Sequence, residues 1–147
     1  MEKEFRRLLH LTAVPVEGAE ELLEYLYKKD YCLCAASNGP YEQQINRLKS
    51  AGMLKYFDHC FVSEKIGADK PGKQFFDGCM RNLPGIHPED CMMIGDSLTA
   101  DIAGGTLYGM STCWYVPSVE KYNEEKSKSG KPAEYIIHEL RELKNIL

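Results

Sequence analysis

Apolar residues in this chain come in short blocks, and the blocks alternate between two spacings. Over Val16 to Lys29, the residues Leu22, Leu23 and Leu26 recur at helical spacing and predict a helix. Tyr31-Cys32-Leu33-Cys34-Ala35-Ala36 is continuously apolar, too short for a helix, and closed by Ser37-Asn38-Gly39-Pro40, so it predicts a buried strand. Tyr41 to Ser50 returns to helical spacing, with a further helical turn around Met53 to Phe57. Cys60-Phe61-Val62-Ser63 is the next strand, and Pro71 opens a helix that runs to about Asn82, because proline suits the first helical position.

The alternation continues to the C-terminus. Cys91-Met92-Met93-Ile94 predicts a third strand that ends in Gly95-Asp96-Ser97, followed by a helix from Leu98 to Tyr108. Thr112 to Val116 predicts a fourth strand and Tyr135-Ile136-Ile137 a fifth, with a closing helix over His138 to Leu147. The stretch from Glu120 to Lys131 mixes both charges without an apolar stripe and reads as a solvated loop. Strands alternating with helices, each strand apolar on both sides, predict an α/β fold: a parallel sheet with helices on both faces. In such sheets ligands bind beyond the carboxyl ends of the strands, so the residues just after each strand carry the functional information.

Composition narrows the classes. The chain has 147 residues, 44% apolar and 27% charged, the profile of one ordinary globular domain rather than a disordered or fibrous protein. Its net charge of −4, with Lys and Arg scattered, argues against a nucleic-acid partner. No apolar run approaches the roughly 18 residues that would suggest a membrane span. The charged start, Met1 to Arg7, has no apolar core behind it and is not expected to be a secretory signal. Of the six cysteines, Cys32, Cys34, Cys60, Cys91 and Cys113 sit inside apolar runs, where they behave as small hydrophobes. His10, His59, His87 and His138 supply no second pair at zinc spacing. Reduced thiols and no signal peptide lead us to expect a cytoplasmic protein.

Three strand ends carry candidate chemistry. Ser37-Asn38-Gly39 places a hydroxyl and backbone N–H groups at a helix N-terminus, which is either an anion site or a plain cap and turn. Lys70, in Gly67-Ala68-Asp69-Lys70-Pro71, stands at the end of a helix where a cation is unfavourable, so it is either a surface lysine or one that serves an anion. Asp96 and Asp101 follow the third strand and can face one crevice. They are either a cap and a favourable helix charge, or a pair suited to a hard cation such as Mg²⁺.

Taken together, Ser37-Asn38-Gly39, Lys70-Pro71 and Gly95-Asp96-Ser97 with Asp101 resemble motifs two, three and four of the haloacid dehalogenase (HAD) superfamily. The resemblance runs from about Pro15 to the C-terminus. Finer features, among them Gln44 with Arg47-Leu48, Tyr56-Phe57-Asp58, Ser63-Glu64 with Gly67, and Thr112-Cys113-Trp114-Tyr115, resemble the branch that contains pyrimidine 5′-nucleotidases. The resemblance implies a three-layer, Rossmann-like core over 15–147, preceded over 1–14 by the remnant of a cap helix. It implies a Mg²⁺-dependent phosphatase of small phosphorylated metabolites, with a nucleoside monophosphate as the narrower candidate. Ser37 and Lys70 would be catalytic. Ser37, Asn38, Gly39 and Lys70 would bind the phosphoryl group. Asp96 would hold Mg²⁺, and Asp101 would support the metal shell or pair with Lys70.

The family's first motif, a strand ending in Asp-x-Asp that supplies the nucleophile, has no counterpart here; Asp30, Asp58, Asp69, Asp77 and Asp90 each stand alone. The resemblance therefore implies a chain that is inactive or nearly so by itself, with a non-catalytic phosphate-binding or interaction module as the alternative. It also implies a missing central strand between the Ser37 and Asp96 strands. We expect residues 31–36 and 91–95 to pair directly, the other route being a homodimer that fills the gap.

Overall fold

The computed structural model describes residues 7–8, 18–129 and 132–147. In chain order the elements are β1 (Arg7–Leu8), α1 (Ala19–Lys28), β2 (Leu33–Ser37), α2 (Tyr41–Ser50), β3 (His59–Val62), α3 (Ser63–Ile66) and α4 (Lys73–Arg81). They are followed by β4 (Met92–Gly95), α5 (Gly104–Tyr108), β5 (Ser111–Tyr115), α6 (Val119–Ser129) and β6 (Tyr135–Ile137). Short 3₁₀ segments cover Leu54–Tyr56, Pro88–Asp90 and Leu140–Asn145.

Every strand pair is parallel. Hydrogen bonds join β3–β2–β1 on one side and β4–β5–β6 on the other, and β1 lies against β4. Read across, the order is 3-2-1-4-5-6, the doubly wound arrangement whose direction reverses between β1 and β4. The five expected strands are all present, to within one or two residues at each end.

The expected direct pairing of the Ser37 and Asp96 strands does not occur. Arg7 and Leu8 stand between them, in register with Leu33 and Cys34 of β2. The buried backbone of β2 needs a partner on that side, and the chain supplies one from its own N-terminal region. No second copy is needed to occupy that place. Most of the expected cap-helix remnant over 1–14 lies outside the described residues; the described part, Arg7–Leu8, is a strand.

Alternation along each strand sorts the side chains into two cores. Leu33 and Ala35 of β2, and Met92 and Ile94 of β4, pack with Leu22, Leu23 and Leu26 of α1 and with Leu140 and Leu143 near the C-terminus. Cys34, Ala36 and Met93 face the other way, toward Phe75, Phe76 and Cys79 of α4. Burying each of the α1 leucines contributes about 1.5–3 kcal/mol relative to exposure, so this helix is held by its stripe rather than by propensity. The cysteines Cys34, Cys79, Cys91 and Cys113 are buried thiols of these cores.

The other differences from the sequence reading have local causes. The stretch around Glu120 to Lys131 is helical over Val119–Ser129; Ser118 Oγ accepts the Lys121 N–H at 3.1 Å and caps its first turn. The helix expected from Pro71 begins at Lys73, because Gly72 N–H turns back to the Asp69 carbonyl at 2.9 Å. The C-terminal helix is a 3₁₀ turn over Leu140–Asn145. The helix expected over Leu98–Tyr108 is split into a π-helical turn, Leu98–Ala103, and α5.

A polar tie joins α4 to α5. The Tyr108 hydroxyl donates to Asp77 Oδ1 at 2.6 Å, and Lys73 pairs with the other oxygen at 3.1 Å. The Tyr108 bond first, and Lys73 second, hold the Asp77 carboxyl below its ordinary value of 3.8. A depressed carboxyl pKa stabilises the fold above the unfolded value, and that contribution is lost as pH falls through the folded one. In Tyr108→Phe, the Asp77 carboxyl followed by NMR should titrate closer to 3.8 than in the parent. An unchanged midpoint would show that the tyrosine bond does not set it.

Candidate functional site

The site forms at the carboxyl ends of β2 and β4, next to the point where strand order reverses. Ser37 ends β2 half-buried, and its hydroxyl has no hydrogen-bond partner among the described residues. Lys70 arrives from the loop after α3, with a cis Lys70–Pro71 peptide. Asp96 and Asp101 come from the turn that follows β4.

Lys70 is the organising group. Only 5% exposed, it sends its ammonium inward, to the Ala36 carbonyl at 2.8 Å and to Asp101 Oδ1 at 2.7 Å. Burial pushes its pKa below the ordinary lysine value; the Asp101 charge, the bond to it and the nearby Asp96 charge oppose that shift. The reading of Lys70 as a surface lysine is therefore excluded.

Asn38 fixes the Lys70 backbone. Its side-chain oxygen accepts the Lys70 N–H at 2.9 Å, and its amide donates to the Lys70 carbonyl at 3.2 Å. The side chain is thus a clamp on Lys70, which leaves only the Asn38 backbone for an anion.

Asp101 is wholly buried. One oxygen takes Lys70, and the other accepts the Ser97 N–H at 3.2 Å. The π-helical turn aims it inward: the Asp101 and Ile102 N–H groups both close on the Ser97 carbonyl, at 3.0 and 3.1 Å. Ser97 caps the same turn, accepting the Ala100 N–H at 3.0 Å. Gly95 makes room, since a Cβ there would stand 2.6 Å from Asp101 Cγ. Of the two roles expected for Asp101, the geometry shows the pairing with Lys70.

Asp96 behaves differently. Its carboxylate is exposed at the tip of β4 and accepts no hydrogen bond from the described residues, while Trp114 Nε1 anchors its carbonyl at 3.2 Å. The described residues contain no cluster of three or more metal-ligating side chains. A single exposed carboxylate fits Mg²⁺, which keeps most of its waters and takes one or two carboxylates plus phosphate oxygens.

The loop after β2 also differs from expectation. The Gly39 N–H is engaged by Ser63 Oγ at 2.8 Å, and the Tyr41 N–H of α2 by Glu64 Oε1 at 2.6 Å. Gly39 is therefore not an open donor in this arrangement, whereas the Ser37 hydroxyl has no hydrogen-bond partner among the described residues. In the sequence, Ser63 and Glu64 carry only a resemblance to the nucleotidase branch. Their position directly after β3 was the available signal for a contact with the neighbouring strand end. Beside them opens a cleft of about 500 Å³ lined by Gly39, Pro40, Ser63, Glu64, Gly67, Ala68 and Asp69.

Comparison with known proteins shows the family. Residues 2–109 match the model of the haloacid dehalogenase-like hydrolases. The chain is 42% identical over 102 residues to the pyrimidine 5′-nucleotidase PynA of Streptococcus pneumoniae, covering 69% of this chain and 43% of that protein. It is 35% identical over 147 residues to the HAD-hydrolase YfnB of Bacillus subtilis, covering 100% of this chain and 60% of YfnB. The magnesium-bound crystal structure of YfnB superposes with a TM-score of 0.80 at 36% identity, over 90% of this chain and 55% of that one.

The chain therefore belongs to the haloacid dehalogenase-like hydrolases. It spans 43% to 60% of the length of the two relatives named. No described helix is long and apolar enough to cross a membrane.

The ion pair is testable by a double-mutant cycle. Lys70→Met and Asp101→Leu should each lose about 3–5 kcal/mol in urea unfolding, because each strands a buried charge. The double variant should lose clearly less than the sum. Additive losses would mean that the two groups do not act as a pair.

Proposed function

We propose that this chain carries the phosphoryl-binding half of a phosphohydrolase that acts on small phosphorylated metabolites, a nucleoside monophosphate being the narrower reading. The observation that carries the proposal is the Lys70 ammonium, buried yet held by Asp101 at the strand ends beside a hydroxyl without a partner. A cation kept in that position at the cost of burial suits an anionic ligand. One of the relatives named above, PynA, is a pyrimidine 5′-nucleotidase, which supports the same chemistry.

In this reading the Ser37 hydroxyl and the Asn38 N–H hold phosphoryl oxygens, and Lys70 neutralises their charge. Asp101 keeps Lys70 charged and aimed, as a positioning residue. Asp96 would hold Mg²⁺, which when bound would neutralise charge on the phosphate oxygens. A cytoplasmic site of action belongs to the proposal and suits the six thiols.

The sequence contains no Asp-x-Asp pair. Covalent phosphoryl transfer needs an attacking carboxylate, so we propose that this polypeptide alone binds phosphate and turns over little or nothing. The same observation favours a second reading, a non-catalytic phosphate-binding or interaction module.

Two measurements test the proposal. With Mg²⁺ present, hydrolysis of p-nitrophenyl phosphate or nucleoside monophosphates should not exceed background. A robust rate abolished by Asp96→Ala would show that a nucleophile has been missed. Mg²⁺ titration should shift the amides of Gly95 to Ser97 in roughly the millimolar range expected of one carboxylate, and Asp96→Asn should remove the response. Equal shifts in that variant would refute the metal assignment.

A further inference from the structure

The first N–H groups of a helix are unpaired and point outward, which makes a helix N-terminus a natural seat for phosphate. At α2 that seat is already taken. The Gly39 N–H is held by Ser63, and the Tyr41 N–H is held at 2.6 Å by the Glu64 carboxylate. Glu64 thus sets a carboxylate at the N-terminus of α2.

The adjoining cleft carries the same sign. Its charged lining residues are Glu64 and Asp69, both acidic. Lys65, next in sequence to Glu64, is drawn away over the Tyr41 ring, with Nζ 4.9 Å from the centroid, and is not part of the lining. The cleft is continuous in sequence with the phosphoryl site, since Gly39 lies two residues beyond Ser37 and Asp69 immediately precedes Lys70.

We infer that Glu64, assisted by Asp69, is a specificity-determining residue that restricts the site to monophosphates whose attached group is neutral or rich in hydrogen-bond donors, and that turns away di- and polyphosphates. The inference rests on the phosphoryl-site reading above. A second phosphate in this cleft meets two carboxylates, and it gains the Tyr41 donor only by displacing Glu64. A hydroxyl or amino group meets the same carboxylates as acceptors, and hydrogen bonds to charged acceptors are the strong ones.

The test is a pair of titrations on the full chain without metal, using orthophosphate and pyrophosphate and read at the amides of Ser37 to Gly39 by NMR. They are run on the parent, Glu64→Gln and Asp69→Asn. Glutamine retains an oxygen to accept the Tyr41 N–H and removes only the charge. In the parent, orthophosphate should bind at least as tightly as pyrophosphate. In Glu64→Gln the affinity ratio should move toward pyrophosphate by about three- to tenfold, the size of a screened interaction between near-surface charges, with a smaller move in Asp69→Asn. Tighter pyrophosphate binding in the parent, or a ratio unchanged in both variants, overturns the inference and leaves the phosphoryl site standing. No phosphate response at Ser37 to Gly39 in any of the three proteins overturns the phosphoryl-site reading, and this inference with it.

Discussion

A lysine ammonium and a carboxylate buried against each other at 2.7 Å hold this site together. Lys70 belongs to the loop after α3, Asp101 to the π-helical turn after β4, and the Ala36 carbonyl that completes the arrangement belongs to β2. Three separate segments are thus tied at one point. Neither charge could be buried alone, because an isolated ion in a protein interior costs several kcal/mol. The pair is therefore a constraint on the fold as well as on the chemistry: the segments must meet there, or both charges are stranded.

Much of the local structure serves that meeting. Gly95 lacks a Cβ because Asp101 occupies the space one would fill. Ser97 caps the turn from both ends, its hydroxyl accepting one N–H while its own N–H supports Asp101. Asn38 grips the Lys70 backbone through both of its amide atoms. On the flank, Ser63 and Glu64 tie the start of α2 to the end of β3. The outcome is a site with one buried cation beside an open hydroxyl, one exposed carboxylate at the strand tip, and an acidic cleft alongside.

The strands were legible because strands covered on both faces must be apolar throughout, and blocks such as Met92-Met93-Ile94 have no other reading in a chain that alternates this way. The helix at Val119–Ser129 was not legible, since its residues bury no clear stripe and it resembles any solvated charged stretch. The sequence also pointed to Ser37, Lys70, Asp96 and Asp101 as one constellation. It could not say which oxygen meets which nitrogen: that Asp101 pairs with Lys70, that Asn38 clamps the Lys70 backbone and that Ser63 engages Gly39. Those assignments depend on backbone direction over a few residues: the π-helical turn that rotates Asp101 inward, and the approach of Ser63 to Gly39 across 24 positions of sequence. The place of Arg7–Leu8 beside β2 was missed for a related reason. Two residues carry no periodicity, and only the unmet backbone of the neighbouring strand reveals the need for them.

The measurement that bears most directly on this account is the titration of the Lys70 side chain, followed by ¹³C and ¹⁵N NMR at Cε and Nζ, in the parent and in Asp101→Asn. Burial lowers the Lys70 pKa, and Asp101 is the foremost influence opposing that fall. The midpoint in the parent should lie below that of ordinary lysines, and it should drop further when the Asp101 charge is removed. A midpoint at the ordinary lysine value, or one that Asp101→Asn leaves unmoved, would contradict the buried pairing.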